Sequence, residues 1–100
     1  MNLRTAQDQK YIEKGWWEWS VWIEGPNNEL DEVEEVTYKL HRTFTNPVRT
    51  TRDRASKFKL EEDGWGVFPI RAKIQLKNGA PITLVHDLKL FYPDGTPNIE

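Results

Sequence analysis

The chain of 100 residues contains no cysteine, and this absence excludes several kinds of chemistry. Without thiols the protein cannot form a disulfide, a cysteine nucleophile, a thiolate zinc site or an iron–sulfur cluster. It also has no apolar run near the roughly 18 residues that cross a membrane, and residues 1–10 lack the apolar stretch of a signal peptide. These absences predict an intracellular protein, cytoplasmic in a prokaryote or nuclear in a eukaryote, with no membrane segment.

Aromatic residues, in contrast, are plentiful. They make up 12% of the sequence, and five of them are tryptophans. Together with 37% hydrophobic and 30% charged residues, this composition is typical of a folded globular domain rather than a disordered chain. The length predicts a single domain.

Apolar residues alternate with polar ones in five segments, which is the pattern of half-buried strands. No segment has a helical period, and the turn signals between the short strands favour an all-β sandwich. An immunoglobulin-like sandwich needs about seven strands, so two further strands are expected, in residues 10–12 and 48–52. The dipeptide Asn78-Gly79 predicts a type I′ turn between the last two strands. The apolar faces are formed by Trp17, Trp19, Val21 and Ile23, by Val36, Tyr38 and Leu40, by Phe58 and Leu60, by Phe68, Ile70, Ala72, Ile74 and Leu76, and by Ile82, Leu84, His86, Leu88 and Leu90.

These strands predict one immunoglobulin-like β-sandwich over residues 15–95. The polar residues 1–14 are expected to form a short lead-in, with an edge strand around Tyr11 and Ile12. Residues 96–100 are expected to form a C-terminal tail.

Two tryptophans do not fit the alternation. Trp16 and Trp22 fall on the face of their strand opposite to Trp17, among the polar residues Glu18 and Ser20. A large aromatic side chain on a polar face needs a reason. Either a loop or the edge of the second sheet covers these side chains, or they form a platform that contacts a ligand.

Two loops combine residue types that suit ligand binding. The first follows a strand and ends at Pro47, and it carries His41, Thr43 and Phe44. In the second, glycines flank Trp65, which leaves that side chain few local neighbours and lets the backbone approach another group closely. If the two loops meet, their aromatic rings form two walls that hold a flat polar group such as an amide. The Thr43 hydroxyl and a backbone N–H beside the glycines can then pair with the amide.

Three runs of sequence, read together, resemble one known family. The runs are Trp19–Pro26, Tyr38–Pro47 with the pattern Leu-His-x-x-Phe-x-x-Pro, and Leu60–Phe68 with the pattern Gly-Trp-Gly-x-Phe. In order and spacing they resemble the YEATS domain over most of the chain, and they are most similar to the prokaryotic YEATS-like domains. The resemblance implies a non-enzymatic reader module. It also implies an immunoglobulin-like β-sandwich that binds acetylated or crotonylated lysine of a protein in an aromatic channel at one end.

Carried over to this sequence, the resemblance implies a role for each site residue. Phe44 and Trp65 would be the two walls, and the backbone N–H of Trp65 would donate to the acyl carbonyl. Thr43 would bond the acyl amide, and His41 would orient the Thr43 hydroxyl. Neither a cofactor nor a metal ion is implied. The other predicted site residues are Trp22 beside the channel and, shaping the second loop, Gly64, Gly66 and Phe68.

Few features favour an enzyme. The histidines are His41 and His86, and His86 has the alternation of a buried, hydrogen-bonded core residue. The serines, Ser20 and Ser56, lack the glycine-rich elbow of a nucleophile. The acidic residues 31–35 lack the spacing of a calcium loop.

Two other binding functions stay open. A carbohydrate-binding module would use Trp16, Trp22 and Trp65 on one surface. A protein–protein interaction module, as part of a larger protein such as a bacterial one, would have a closed or altered channel. Nucleic-acid binding is not favoured, because the basic residues between positions 42 and 59 are interleaved with only Phe44 and Phe58.

Overall fold

The chain folds into two facing antiparallel β-sheets, and the computed structural model describes all residues, 1–100. One sheet has the strand order β1-β2-β5 and the other β4-β3-β6-β7. The predicted all-β, immunoglobulin-like sandwich is therefore confirmed. No helix is long and apolar enough to cross a membrane. The elements are β1 (Arg4–Glu13), β2 (Trp16–Glu24), the one-turn helix α1 (Asn27–Leu30), β3 (Val33–Lys39), β4 (Val48–Thr51), a 3-10 turn (Arg54–Ser56), β5 (Leu60–Gly64), β6 (Pro69–Leu76) and β7 (Pro81–Asp87).

The core lies between the sheets, where the alternation placed it. In β2, the side chains of Trp17, Trp19, Val21 and Ile23 are all buried, and Glu18 between them is exposed. Altogether 17 buried hydrophobic side chains from both sheets form one cluster. Since burial of apolar surface is the main favourable contribution to folding, this cluster holds the two sheets together.

The first strand is longer than the sequence indicated. The lead-in was expected to contain a short edge strand around Tyr11 and Ile12, but β1 has ten residues. It pairs with β2 from Arg4 opposite Glu24 to its end. Residues 1–14 thus contribute a full edge strand to the sandwich. The predicted strand in residues 48–52 is confirmed as β4.

The two tight β-hairpins have different turns, and only the second was predicted. Lys14 and Gly15 join β1 to β2 with φ values of 49° and 73°, and two consecutive positive values define a type I′ turn. In the hairpin between β6 and β7, Gly79 has a positive φ of 93° and Asn78 does not. The predicted type I′ turn at Asn78-Gly79 is therefore wrong. A three-residue loop, residues 77–79, ends there in a left-handed glycine.

The C-terminal residues fold back onto the sandwich. Phe91 forms a bridge with Pro97, and the Asn98 N–H donates to the Leu90 carbonyl at 2.8 Å. The predicted tail, residues 96–100, therefore packs beside the strands.

A buried hydrogen bond fixes the approach to β5. Phe58 is fully buried. The sequence predicted that it lies in a strand, but its φ of 59° places it in a left-handed turn before β5. The Tyr38 hydroxyl donates to the Phe58 carbonyl at 2.7 Å. Burial of this hydroxyl raises the pKa of Tyr38, which keeps the side chain neutral and able to donate.

His86 links the edges of the two sheets. Its Nε2 donates to Gln7 Oε1 at 2.8 Å, and its Nδ1 accepts from the Thr5 hydroxyl at 2.9 Å. We assign this tautomer because the Gln7 amide also bonds the Lys89 backbone through both of its polar atoms. Burial lowers the pKa of His86, so the ring is a neutral, hydrogen-bonded structural residue, as its alternation predicted.

The lowered pKa of His86 predicts a pH-dependent stability. In the unfolded chain the ring titrates near pH 6.5 and takes up a proton before the folded form does. The contribution of His86 is therefore present above about pH 6.5 and is lost as the pH falls below it. We expect the free energy of unfolding in urea to decrease between about pH 7 and pH 5, with a shallower slope in His86→Gln. Equal slopes for both proteins would contradict this.

The Tyr38 hydroxyl is expected to matter for stability. A Tyr38→Phe variant leaves the buried Phe58 carbonyl without its donor, which costs about 1–3 kcal/mol. Urea denaturation measures this difference, and Tyr92→Phe at an exposed tyrosine is the matched control. A loss no larger than that of the control would show that the hydrogen bond is unimportant.

Candidate functional site

A cleft of about 490 Å³ opens at one end of the sandwich. Two loops form its walls, residues 40–47 between β3 and β4 and residues 65–68 between β5 and β6. The first loop joins two strands of the four-stranded sheet, the second crosses from the three-stranded to the four-stranded sheet, and the two meet at this end. Six of the eight predicted site residues line the cleft, namely His41, Thr43, Phe44, Gly64, Trp65 and Gly66.

Phe44 forms one wall of the cleft and rests on buried aromatic rings. Its ring centroid lies 6.3 Å from that of Trp19, edge to face, and 5.5 Å from that of Phe68. Trp19 is 3% exposed and lies in the core behind this wall, while its Nε1 is the single buried side-chain polar atom without a hydrogen-bond partner. Phe68 does not line the cleft but supports Phe44 from beneath, so the wall has a fixed position.

Trp65 forms the opposite wall. Its side chain is 57% exposed, and its backbone carbonyl accepts a hydrogen bond from Asn98 Nδ2 at 2.6 Å. A Cβ added at Gly64 would lie 3.8 Å from Phe44 Cζ, so the two loops are in close proximity. Trp65 lines the cleft and more than half of it is exposed, so its indole is accessible to a ligand.

A histidine and a threonine form a hydrogen-bonded pair beside Phe44. His41 Nδ1 lies 2.9 Å from the Thr43 hydroxyl, and it also accepts from the Thr43 backbone N–H at 3.3 Å. A ring nitrogen that accepts from an N–H carries no proton, so the hydroxyl donates to it as well. The lone pairs of the Thr43 oxygen are then free to accept a hydrogen bond from a ligand.

Trp22 does not line the cleft, which corrects its predicted place beside the channel. Its alternation puts it on the outer face of the three-stranded sheet, where Nε1 donates to Glu24 Oε1 at 2.7 Å. Lys59 Nζ lies 5.6 Å from the ring centroid. The Trp22 side chain is therefore partly covered, by Glu24 of its own strand and by Lys59 from the loop before β5, and it does not contribute to the cleft.

Trp16 lines the cleft and was not among the predicted site residues. It is 42% exposed, and its Nε1 donates to Asp63 Oδ2 at 3.1 Å. Its position on the polar face of β2 marked Trp16 as unusual. Alternation alone, however, does not show which end of the strand lies at the cleft. Arg49 and Glu62 also line the cleft, and no sequence pattern marked these two charged residues.

A second cleft, of about 550 Å³, lies on the outer face of the three-stranded sheet. Its lining is polar, with Trp19 as its only hydrophobic residue, and it carries carboxylates of Glu18, Glu61 and Asp63. No group of three or more histidine or acidic side chains is placed to hold a metal ion. This surface lacks the apolar and aromatic walls typical of a small-ligand site.

Comparison with known proteins identifies the family. The model of the prokaryotic YEATS domain matches residues 17–89. Among curated proteins, the AF-9 homolog of Saccharomyces cerevisiae is 36% identical over 86 residues, which is 80% of this chain and 37% of that protein. The transcription initiation factor TFIID subunit 14b of Arabidopsis thaliana is 32% identical over 81 residues, 76% of this chain and 30% of that protein. The chain thus spans about a third of the length of these relatives.

Solved structures of the same family share the fold. The Yaf9 YEATS domain bound to H3K27ac superimposes with a TM-score of 0.69 and 28% identity, over 94% of this chain and 73% of that one. The Yaf9 YEATS domain recognising an H3K122suc peptide gives a TM-score of 0.68 at 28% identity, over 94% and 72% of the two chains. From the family match over most of its length and from this fold, the chain belongs to the YEATS domain family, whose reader domains are non-enzymatic binding modules.

Proposed function

We propose that this domain binds an acylated lysine side chain of a partner protein, acetylated or crotonylated, in the cleft between Phe44 and Trp65. One observation carries the proposal: aromatic side chains from two loops line one cleft, beside a threonine whose oxygen is oriented to accept a hydrogen bond. The relatives support it, since a Yaf9 YEATS domain binds H3K27ac. The proposal identifies the partner protein by the acylated lysine that it carries.

The chemistry of an amide fits these groups. A flat amide between the rings of Phe44 and Trp65 gains roughly 0.5–1.5 kcal/mol per aromatic contact beyond the burial of its area. Its N–H donates to the Thr43 oxygen. Its carbonyl accepts from the backbone N–H of Trp65, which lies outside the strand ladder. Both polar groups of the amide are then paired, as burial requires.

The same groups discriminate against unmodified lysine. An ammonium has three donors and no acceptor, so it cannot pair with the backbone N–H of Trp65. An unpaired donor inside the complex costs about 1–3 kcal/mol. The charged group must also lose its water on entering an aromatic cleft. Selection for the acylated side chain therefore follows from hydrogen bonding as well as from shape.

The alternatives have less support. A carbohydrate platform needs three tryptophans close together on one surface, and Trp22 lies about 20 Å along β2 from Trp16, outside the cleft that Trp16 and Trp65 line. A protein-interaction module with a closed channel is disfavoured by a cleft of about 490 Å³ that is bordered by half-exposed aromatic rings.

An NMR titration of the tryptophan indole signals tests the function. Acetyl-lysine and crotonyl-lysine peptides are expected to shift the Trp65 and Trp16 indoles saturably. Trp22 serves as an internal control because it lies outside the cleft. Trp65→Ala is expected to weaken binding roughly tenfold or more, and the unmodified peptide should cause no saturable shift. Absence of shifts at millimolar peptide with the protein folded would reject the proposal.

The Thr43 hydroxyl provides a second test. Thr43→Val keeps the shape of the side chain but leaves the amide N–H of the ligand unpaired, so affinity for acetyl-lysine peptide should fall roughly 5- to 150-fold. Thr43→Ser retains the hydroxyl and should bind within a few-fold of the original protein. Isothermal titration calorimetry measures both. Equal losses in the two variants would show that the hydroxyl makes no contact with the ligand.

A further inference from the structure

We propose that Arg49 is a positioning residue, which sets the width of the cleft by fixing the Phe44 loop to β5, the strand that leads into Trp65. Its effect on ligand affinity rests on the function proposed above. Its effect on the two loops can be measured without any ligand.

The guanidinium of Arg49 makes two hydrogen bonds and one ion pair. Its Nη2 donates to the Thr45 carbonyl at 2.8 Å, and its Nε donates to the Asn46 carbonyl. Its Nη1 lies 2.8 Å from Glu62 Oε2. Thr45 and Asn46 directly follow Phe44, and Asn46 has a left-handed φ of 52°, a conformation that is uncommon for residues other than glycine. Arg49 thus bonds the loop at a residue with an uncommon backbone conformation.

The third partner belongs to the other sheet. Glu62 lies in β5, where it pairs with Trp19 of β2, and β5 ends at Gly64, immediately before Trp65. Arg49 lies in β4, at the edge of the four-stranded sheet, and β5 is at the edge of the three-stranded sheet. No backbone ladder joins β4 to β5. The pair of Arg49 and Glu62 therefore spans the gap between the sheets at the end that carries the cleft.

Burial and geometry make this pair stronger than a typical surface ion pair. The two side chains are 30% and 20% exposed, whereas fully exposed pairs contribute little. A guanidinium presents its donors in a rigid planar fork, which suits simultaneous contact with a carboxylate and with carbonyls. None of the other four ion pairs involves a residue that lines this cleft.

The chain offers a matched control. Arg54 pairs with Asp31 at 3.0 Å and is 34% exposed, close to the exposure of Arg49. It also lies near a backbone carbonyl, that of Asn27 at 3.5 Å. The two arginines are thus similarly exposed and each has a carboxylate partner, although Asp31 is more exposed than Glu62. They differ in whether their partners belong to the cleft.

The experiment compares Arg49→Met, Glu62→Gln and Arg54→Met in the free protein and with acetyl-lysine peptide. By heteronuclear NMR of the free protein, Arg49→Met should shift and broaden the Phe44 amide and the Trp65 indole, although Arg49 bonds neither side chain. Peptide affinity should fall roughly two- to thirtyfold. Arg54→Met should leave both signals and the affinity unchanged within about twofold, even where it lowers stability in urea.

Each outcome decides the question. Unchanged Trp65 and Phe44 signals in Arg49→Met would overturn the proposal, as would equal loss of affinity in the two methionine variants. If Arg49→Met does not fold, Glu62→Gln replaces it, since this variant keeps the size of the side chain and removes the charge. If the original protein binds no acyl-lysine peptide, the proposed function fails, and the signals of the free protein still decide whether Arg49 positions the loops.

Discussion

The packing of Trp19 against Phe44 and Phe68 connects the core of the sandwich to the cleft. Trp19 belongs to the three-stranded sheet, whereas Phe44 and Phe68 border strands of the four-stranded sheet. One buried indole therefore supports a ring that is only partly buried and forms a wall of the site. Because protein interiors are close-packed, a change of volume at Trp19 moves Phe44 as well. The core and the site cannot vary independently.

Most of the sandwich could be predicted, because alternation is a strong signal wherever a strand buries one face. β2 and β6 are strands of this kind, and their buried hydrophobic residues are those the pattern identified, although Ser20 on the polar face of β2 is buried as well. β1 lies at a sheet edge and consists mostly of polar residues. It is held by backbone pairing with β2, so its sequence has no hydrophobic alternation from which to predict it. Phe58 shows the reverse case, since it is buried as a strand residue would be, but in a left-handed turn.

The site was predictable only where its residues lie close together in sequence. The two loop motifs placed Phe44 and Trp65 correctly at one cleft, whereas Arg49 reaches it through a long-range pairing with Glu62. Trp16 and Trp22 share one face of β2, and alternation could not separate them. Six residues along a strand amount to about 20 Å, so one indole lies at the cleft and the other far from it.

No backbone ladder joins the two sheets, and this explains why polar links between side chains matter at the site. Hydrophobic packing is non-directional, whereas hydrogen bonds and bidentate charge pairs have defined geometry. Gln7 and His86 provide such a link between β1 and β7, and Arg49 and Glu62 provide one across the opposite side, at the cleft. A gap of 0.5–1 Å in a van der Waals contact already loses about a quarter to a half of its attraction. A site that holds a flat group between two rings from different sheets therefore depends on the offset between those sheets. Polar links that add little to stability can thus decide how well such a group is bound.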